Sequence, residues 1–373
     1  MNNLEENFDS ISPYADEEVS DVMKSLINDK KFHDSISAQI YPSIFKIIPG
    51  LSSFLFRKTF TKSFGNSKSI EQFQNNLTPF VEEMIKRTTD GFSYSGSENL
   101  SSLPTLYISN HRDIALDSLF LNFARFVEGQ KTVRIAIGDN LLDSGFFEKL
   151  MRLNKSFVVH RNIKGAKETL IKLGNLSRYI SHSLTADQES IWIAQSDGRA
   201  TDGHDFTDPA VLKMLYLASR KTLEINEWVK QVNLTPVSIS YEYDPLDITK
   251  AIDWEDGEEL SYEENNQRDL RELVKGIKEP KGRVHLHIGK SITEKINQIE
   301  DLAEVIDSEI ITNYKLWPSN YISAYSLGLT SKTENFEGKK KSFLFRFKSL
   351  DTTTRKKVLR MYSAPFQNQK KRG

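Results

Sequence analysis

From Leu103 onward, short apolar runs alternate with longer stretches of helical periodicity, and this alternation limits the fold more than any other feature of the chain. Strand-like runs read at 105–109, 133–138, 156–160, 190–195, 234–243 and 283–288. Helical patterns fall between and after them at about 114–127, 140–153, 163–183, 208–224, 266–277 and 295–314. Strands joined through a helix pair in parallel, because a parallel connection has to cross the sheet and a helix is the usual crossover. The expected class is α/β, a largely parallel sheet flanked by helices.

Upstream, residues 14–90 carry helical periodicity, opened by Asp16 and followed by Val19, Val22, Met23, Leu26 and Ile27. The expected organisation is a helical N-terminal subdomain over 1–100, an α/β domain over 101–330 and a basic C-terminal tail over 331–373. Within the first, residues 40–60 are rich in Ile, Leu and Phe, are broken by Pro42 and Pro49-Gly50, and are edged by Lys46, Arg57, Lys58 and Lys62. Such a segment suits the interfacial layer of a membrane, and it equally suits two short helices packed on a core.

The chain of 373 residues is 38% hydrophobic and 27% charged, enough for one large core and a smaller one. It has no cysteine, which excludes disulfides, thiolate metal sites and a cysteinyl acyl-enzyme, and fits a reducing cytoplasm. The seven histidines form no HExxH pattern and no paired ligand spacing, so no metal is expected. The acidic start MNNLEENFDS is unlike a signal peptide, so the mature chain is expected to begin at Met1. No apolar run approaches the roughly 18 residues of a membrane-spanning helix. The net charge of −1 hides an asymmetry: from Lys339 to Gly373, twelve Lys or Arg stand against Asp351 alone. Phe343, Phe345 and Phe347 lie among these cations, and the tail is a separate electrostatic object. A basic aromatic stretch can also bind RNA, but the excess is confined to the tail and no RNA-binding signature accompanies it.

The chemistry concentrates at Leu106–Ser118. An apolar strand ends at Asn110-His111-Arg112-Asp113, and a helical pattern containing Asp117 follows. Histidine titrates near pH ~6.5 and can take a proton from a hydroxyl, while a carboxylate orients the ring and stabilises the imidazolium. If Asp113 is the N-cap, His111 precedes the helix and Asp117, one turn beyond the cap, points back at it. Asp113 itself is the alternative partner. His111-Arg112-Asp113 also spells the start of a kinase catalytic loop, but Ser118 stands where that loop needs Asn, and no Gly-rich phosphate loop precedes it. A serine hydrolase is excluded by the lack of a Gly-x-Ser-x-Gly elbow.

In sheets of this class ligands bind beyond the carboxyl ends of the strands. Those ends carry Gly138-Asp139-Asn140, His160-Arg161-Asn162, Gln195-Ser196-Asp197-Gly198-Arg199 and Glu242-Tyr243-Asp244-Pro245. Arg161 and Arg199 could fork onto a phosphate or carboxylate, or pair internally with Asp139 or Asp197. Gly198 would let a backbone approach a ligand closely, or simply make a tight turn.

The ordered set Asn110-His111…Asp117, the strand ending at Arg161, Asp197-Gly198-Arg199 and Thr235-Pro236-Val237 resembles the four sequence blocks of the glycerolipid acyltransferases, the glycerol-3-phosphate and 1-acylglycerol-3-phosphate acyltransferases. The resemblance covers roughly residues 100–245. Two departures stand out: five residues rather than the family's four separate His111 from Asp117, with Leu116 at the usual carboxylate position, and Asp197 replaces the usual Glu. The resemblance implies that His111, helped by Asp117 or Asp113, deprotonates an acceptor hydroxyl that attacks an acyl thioester. It implies that Asn110, Arg161, Asp197, Gly198 and Arg199 bind substrate and that Pro236 shapes the acyl pocket. The donor would be acyl-CoA or acyl carrier protein, used as a substrate with no resident cofactor. The acceptor would be a glycerophosphate or lysophospholipid, foremost 1-acylglycerol-3-phosphate, with a lyso-aminolipid as the alternative. The place implied is the cytoplasmic side of an anionic membrane surface, peripherally attached, with the basic tail and its Phe343, Phe345 and Phe347 as a candidate contact for anionic lipid. A non-catalytic membrane- or nucleic-acid-binding protein is the reading from another class.

Overall fold

A computed structural model describes residues 8–139, 142, 145–161, 163–253, 262–331 and 336–372. Five helices open the chain: α1 (Asp16–Asn28), α2 (Lys30–Ile40), α3 (Pro42–Ile47), α4 (Pro49–Phe64) and α5 (Ile70–Thr88). Strands and helices then alternate through β1 (Phe92–Ser95), β2 (Leu106–Ser109), α6 (Leu116–Val127), β3 (Arg134–Gly138), α7 (Gly145–Leu153), β4 (Ser156–Val159), α8 (Ala166–Thr185) and β5 (Ile191–Ala194). After α9 (Pro209–Tyr216) and α10 (Ile225–Gln231) come β6 (Thr235–Tyr241), α11 (Asp247–Asp253), α12 (Tyr262–Lys278) and β7 (Val284–Ile288). Four helices close the chain: α13 (Ile299–Asn313), α14 (Pro318–Ser326), α15 (Glu337–Phe345) and α16 (Thr352–Arg372). The α/β class holds. Most expected boundaries lie within a few residues of those found. β1, α10, α11 and α14 escaped the sequence reading, the first because FSYS is short and half polar.

The chain divides into two compact units. The first comprises the described parts of Met1–Glu83, Arg134–Ile163 and Asn265–Leu270, and the second those of Met84–Val133, Lys164–Glu264 and Arg271–Gly373.

In the first unit β3 and β4 pair in parallel. Its core is aromatic: the Phe32 ring lies 5.4 Å from Phe56, 5.0 Å from Phe60 and 5.5 Å from Phe146. Phe56, Phe60 and Phe64 recur every fourth residue, so α4 presents one buried stripe to this core. The segment 40–60 is thereby split. Phe56 and Phe60 are core, whereas Ile40, Ile47, Ile48, Leu51 and Phe54 are exposed, Ile47 by 79% and Phe54 by 61%. No helix among the described residues is long and apolar enough to cross a membrane.

In the second unit five strands run in the order β1-β7-β6-β2-β5. Pairing is parallel except between β6 and β7. β2 has neighbours on both sides and is buried throughout, which is why LYIS reads as a continuous apolar run rather than an alternating one. β7, VHLHI, keeps the alternation of a strand with one buried face.

Residues 336–372, expected as a basic tail, are instead helices with a packed side. Phe343 and Phe347, one helical turn apart, are fully buried with Val358, Met361 and Tyr362, and Phe343 meets the Tyr362 ring edge-on at 5.0 Å. Of the three phenylalanines assigned to lipid, Phe345 alone is exposed. Residues 254–261 lie outside the described residues, as do Asn140 and Asn162.

Candidate active site

The site belongs to the second unit and starts where β2 stops. The Asn110 side chain clamps β2 to β6, donating to the Ile239 carbonyl at 2.9 Å and accepting from the Ile239 N–H at 2.8 Å. Its amide is thus engaged by the sheet at both ends. The chain then turns through Arg112 and Asp113 before α6 begins at Leu116. Asp113 Oδ1 accepts the N–H groups of Ala115 and Leu116, each at 3.0 Å, so it caps the first turn from just outside a helix that starts two residues later than expected.

One turn on, Asp117 points back towards the N-terminus, as helical side chains lean. Its Oδ2 lies 2.9 Å from His111 Nδ1 and accepts the N–H groups of Arg112 at 2.7 Å and Asp113 at 3.0 Å. Its Oδ1 accepts the Tyr241 hydroxyl at 2.7 Å. The contact with His111 therefore falls to Asp117, and Asp113 Oδ1 serves the helix start. Asp117 is fully buried, while His111 keeps 9% of its surface open. The Trp192 ring stands edge-on to the imidazole at 5.8 Å, and its Nε1 donates to Ser109 Oγ.

A second layer of charge lies under the turn. Arg112 is buried, with Nε 3.2 Å from Asp205 Oδ2, Nη2 donating to the Gly203 carbonyl, and its guanidinium over the Tyr314 ring at 5.7 Å. Burial works to lower the Arg112 pKa, but Tyr314 and Asp205 outweigh it and leave it raised. Asp205 Oδ1 accepts from the Gln195 side chain and from the His111 N–H. Lys250, also buried, donates to the Arg112 carbonyl and to Asp244 Oδ2, each at 2.6 Å. Burial raises the carboxyl pKa of Asp113 and Asp205, reinforced at Asp113 by the charge of Asp117, and holds the Tyr314 hydroxyl up at about 12. Beside Arg112, Asp205 and Tyr314 is a cavity of about 20 Å³, room for one water.

The other expected residues distribute as follows. Gly198 takes φ +87°, so the turn after β5 needs glycine there, and the N–H of Ala200, just past it, donates to the His111 carbonyl. The loop carrying Asp197, Gly198 and Arg199 is thus tied to the histidine. Asp197 is exposed. Arg199 pairs with the buried Glu272 rather than with Asp197, and its charge also reaches Asp113. Pro236 is buried in β6 opposite Ile108 of β2, its carbonyl accepting from Gly289. Arg161 belongs to the first unit. It is exposed there, and its N–H donates to Asp139, whose other oxygen meets His160.

Residues 91–207 match the family model described as Acyltransferase. The domain is an acyltransferase. The match spans β1 to the loop ahead of α9, includes the whole His111 turn, and upholds the resemblance to the glycerolipid acyltransferases. A search of curated protein sequences found no match. Among solved structures, the 1-acyl-sn-glycerophosphate (LPA) acyltransferase PlsC from Thermotoga maritima aligns with 14% identity over 76% of this chain and 95% of that one, at a TM-score of 0.37.

Sequence reasoning passed over Arg112, except as part of a kinase-like triplet, and missed Asp205, Lys250 and Tyr241. Tyr241 carried one usable signal. It closes a strand whose every residue is buried, and a buried tyrosine needs a partner for its hydroxyl.

Proposed function

We propose that this acyltransferase moves a fatty acyl group from a thioester donor, acyl-CoA or acyl carrier protein, to the free hydroxyl of 1-acylglycerol-3-phosphate. The observation that carries the reading is the His111–Asp117 contact at the carboxyl end of β2, inside the matched domain. His111 Nε2 takes the hydroxyl proton as the acceptor oxygen bonds to the thioester carbonyl carbon. The tetrahedral intermediate collapses, the C–S bond breaks, and the imidazolium returns its proton to the leaving thiolate. No acyl-enzyme forms. Arg199 is the proposed holder of the acceptor's anion, sharing its guanidinium between Glu272 and the ligand.

Attachment to the membrane surface is assigned to the exposed face of α3 and α4. Ile47, Ile48, Leu51 and Phe54 would enter the lipid interface there, with Lys46 and Lys58 at the headgroups.

The test is transfer of labelled acyl groups from acyl-CoA and from acyl carrier protein to lysophosphatidic acid, glycerol 3-phosphate and a lyso-aminolipid, with wild type and His111→Ala. Turnover of lysophosphatidic acid, lost in the variant by a factor of about 10²–10⁴, is expected. Turnover confined to another acceptor would move the substrate assignment. Activity surviving in His111→Ala would remove the base.

A further inference from the structure

Asp117 is held from two directions. On one side Oδ2 meets three groups of the turn: it lies 2.9 Å from His111 Nδ1 and accepts the N–H groups of Arg112 and Asp113. On the other side Oδ1 accepts from the Tyr241 hydroxyl at 2.7 Å, across 124 residues of sequence. A carboxylate is acceptor-only when ionised, and a group ringed by donors has no acceptor to which it could present a proton of its own. The His111 ring must then donate through Nδ1, which leaves the Nε2 lone pair for the substrate hydroxyl.

We propose that Tyr241 is a positioning residue for the transfer reaction. It anchors Asp117 Oδ1 to β6 and so fixes the tautomer and orientation of His111 from the sheet rather than from the turn alone. The proposal rests on reading His111 as the general base. Three features support it. The terminal torsion of an aspartate is broad, so a carboxylate bonded on one oxygen swivels, whereas bonds to both oxygens fix its plane. Tyr241 is buried, with its ring against Phe120 at 6.0 Å, so its hydroxyl is held as firmly as the strand itself. Burial, and then the charge of Asp117, push the Tyr241 pKa far up, so the hydroxyl stays a donor over the working pH range. The other charged or titratable groups around the pair are His111, Arg112 and Asp113 of the turn, Asp205 after β5, Asp244 after β6, Lys250 of α11 and Tyr314 after α13. A Tyr241→Phe change alters none of them directly.

Transfer from labelled acyl-CoA to lysophosphatidic acid is followed between pH 5.5 and 9 in wild type, Tyr241→Phe, Asp117→Asn, the double variant and His111→Ala. The low-field proton signal of His111 Nδ1–H is recorded in parallel and identified by its loss in His111→Ala. Tyr241→Phe should lower kcat about tenfold with KM within about twofold, since the lost hydrogen bond is to a charged group. It should also move the acid limb of kcat/KM to higher pH, because a carboxylate with one donor fewer stabilises the imidazolium more. In the Asp117→Asn background it should add no further loss, as expected of two residues that act as one unit. The His111 signal should shift in Tyr241→Phe. Uniform 3-fluorotyrosine labelling, which strengthens the phenol as a donor and removes no contact, should move it the opposite way, a check that survives any loss of fold in the phenylalanine variant. Wild-type kinetics and an unmoved signal in Tyr241→Phe, or losses that multiply in the double variant, would overturn the proposal. Activity persisting in His111→Ala would instead bring down the base assignment, leaving the proton signal to judge whether Tyr241 orients the pair.

Discussion

Two carboxylates, two and six residues from one histidine, look alike in sequence, yet they take opposite duties. Asp117 accepts four hydrogen bonds and meets the imidazole, whereas Asp113 spends one oxygen on the start of α6 and has no hydrogen-bond partner for the other. Asp117→Asn is expected to lower kcat by about 10²–10⁴, since an amide both loses charge and permits the wrong histidine tautomer. Asp113→Asn should keep most of the activity, because an amide oxygen still caps the helix, and the same transfer assay separates the two. The Asp113 carboxyl is raised above its ordinary value by burial and by Asp117, so what it contributes to stability is complete below the unfolded value near ~3.9 and is lost as pH rises through the folded one. Asparagine has no such dependence. Thermal melts of the two proteins from pH 4 to 7.5 should therefore shift in favour of the variant as pH rises, and a constant offset would contradict the assignment.

Single helices carry both packing and surface, and the difference shows in how their residues respond to change. On α4, Phe60→Ala empties an aromatic core and should cost about 3–5 kcal/mol in denaturant unfolding. Phe54→Asp, on the exposed face, should leave unfolding nearly unchanged and weaken flotation with anionic vesicles. Equal vesicle binding by wild type and a Phe54→Asp/Ile47→Asp double variant would take α3 and α4 out of the membrane assignment. The two faces were already hinted at by the spacing of Phe56, Phe60 and Phe64, but a broken segment with cations at its edges fits either reading until a partner surface is known. Around α15 the twelve cations of the closing stretch concealed two apolar anchors, Phe343 on the helix and Phe347 just past its end, that decide where the helix goes.

Within the second unit the closing helices are wired to the His111 turn. Tyr362 of α16 accepts from the Asp244 N–H and donates to Asp247 Oδ2, Arg346 pairs with Asp247, and Asp244 holds Lys250 against the Arg112 carbonyl. Deleting 336–373 is therefore expected to lower the melting temperature sharply and to abolish transfer, in place of merely weakening vesicle binding as a loose tail would. A deletion variant that melts like wild type would refute this. Lys250→Met would leave Asp244 buried without its ion-pair partner, a loss of about 3–5 kcal/mol by the same melts.

Sequence alone determined the α/β alternation, β2 and the polar turn that ends it, and the placing of His111 beside a carboxylate. These are local, since continuous apolar runs and the three-to-four-residue helical period depend only on neighbours along the chain. The tertiary structure decided which carboxylate meets the histidine, that Arg112 pairs with Asp205, that Tyr241 reaches Asp117 and that the basic closing stretch is packed. Each of these joins residues brought together by strand pairing or helix packing, where the cost of burying a polar group is met only by a partner distant in sequence.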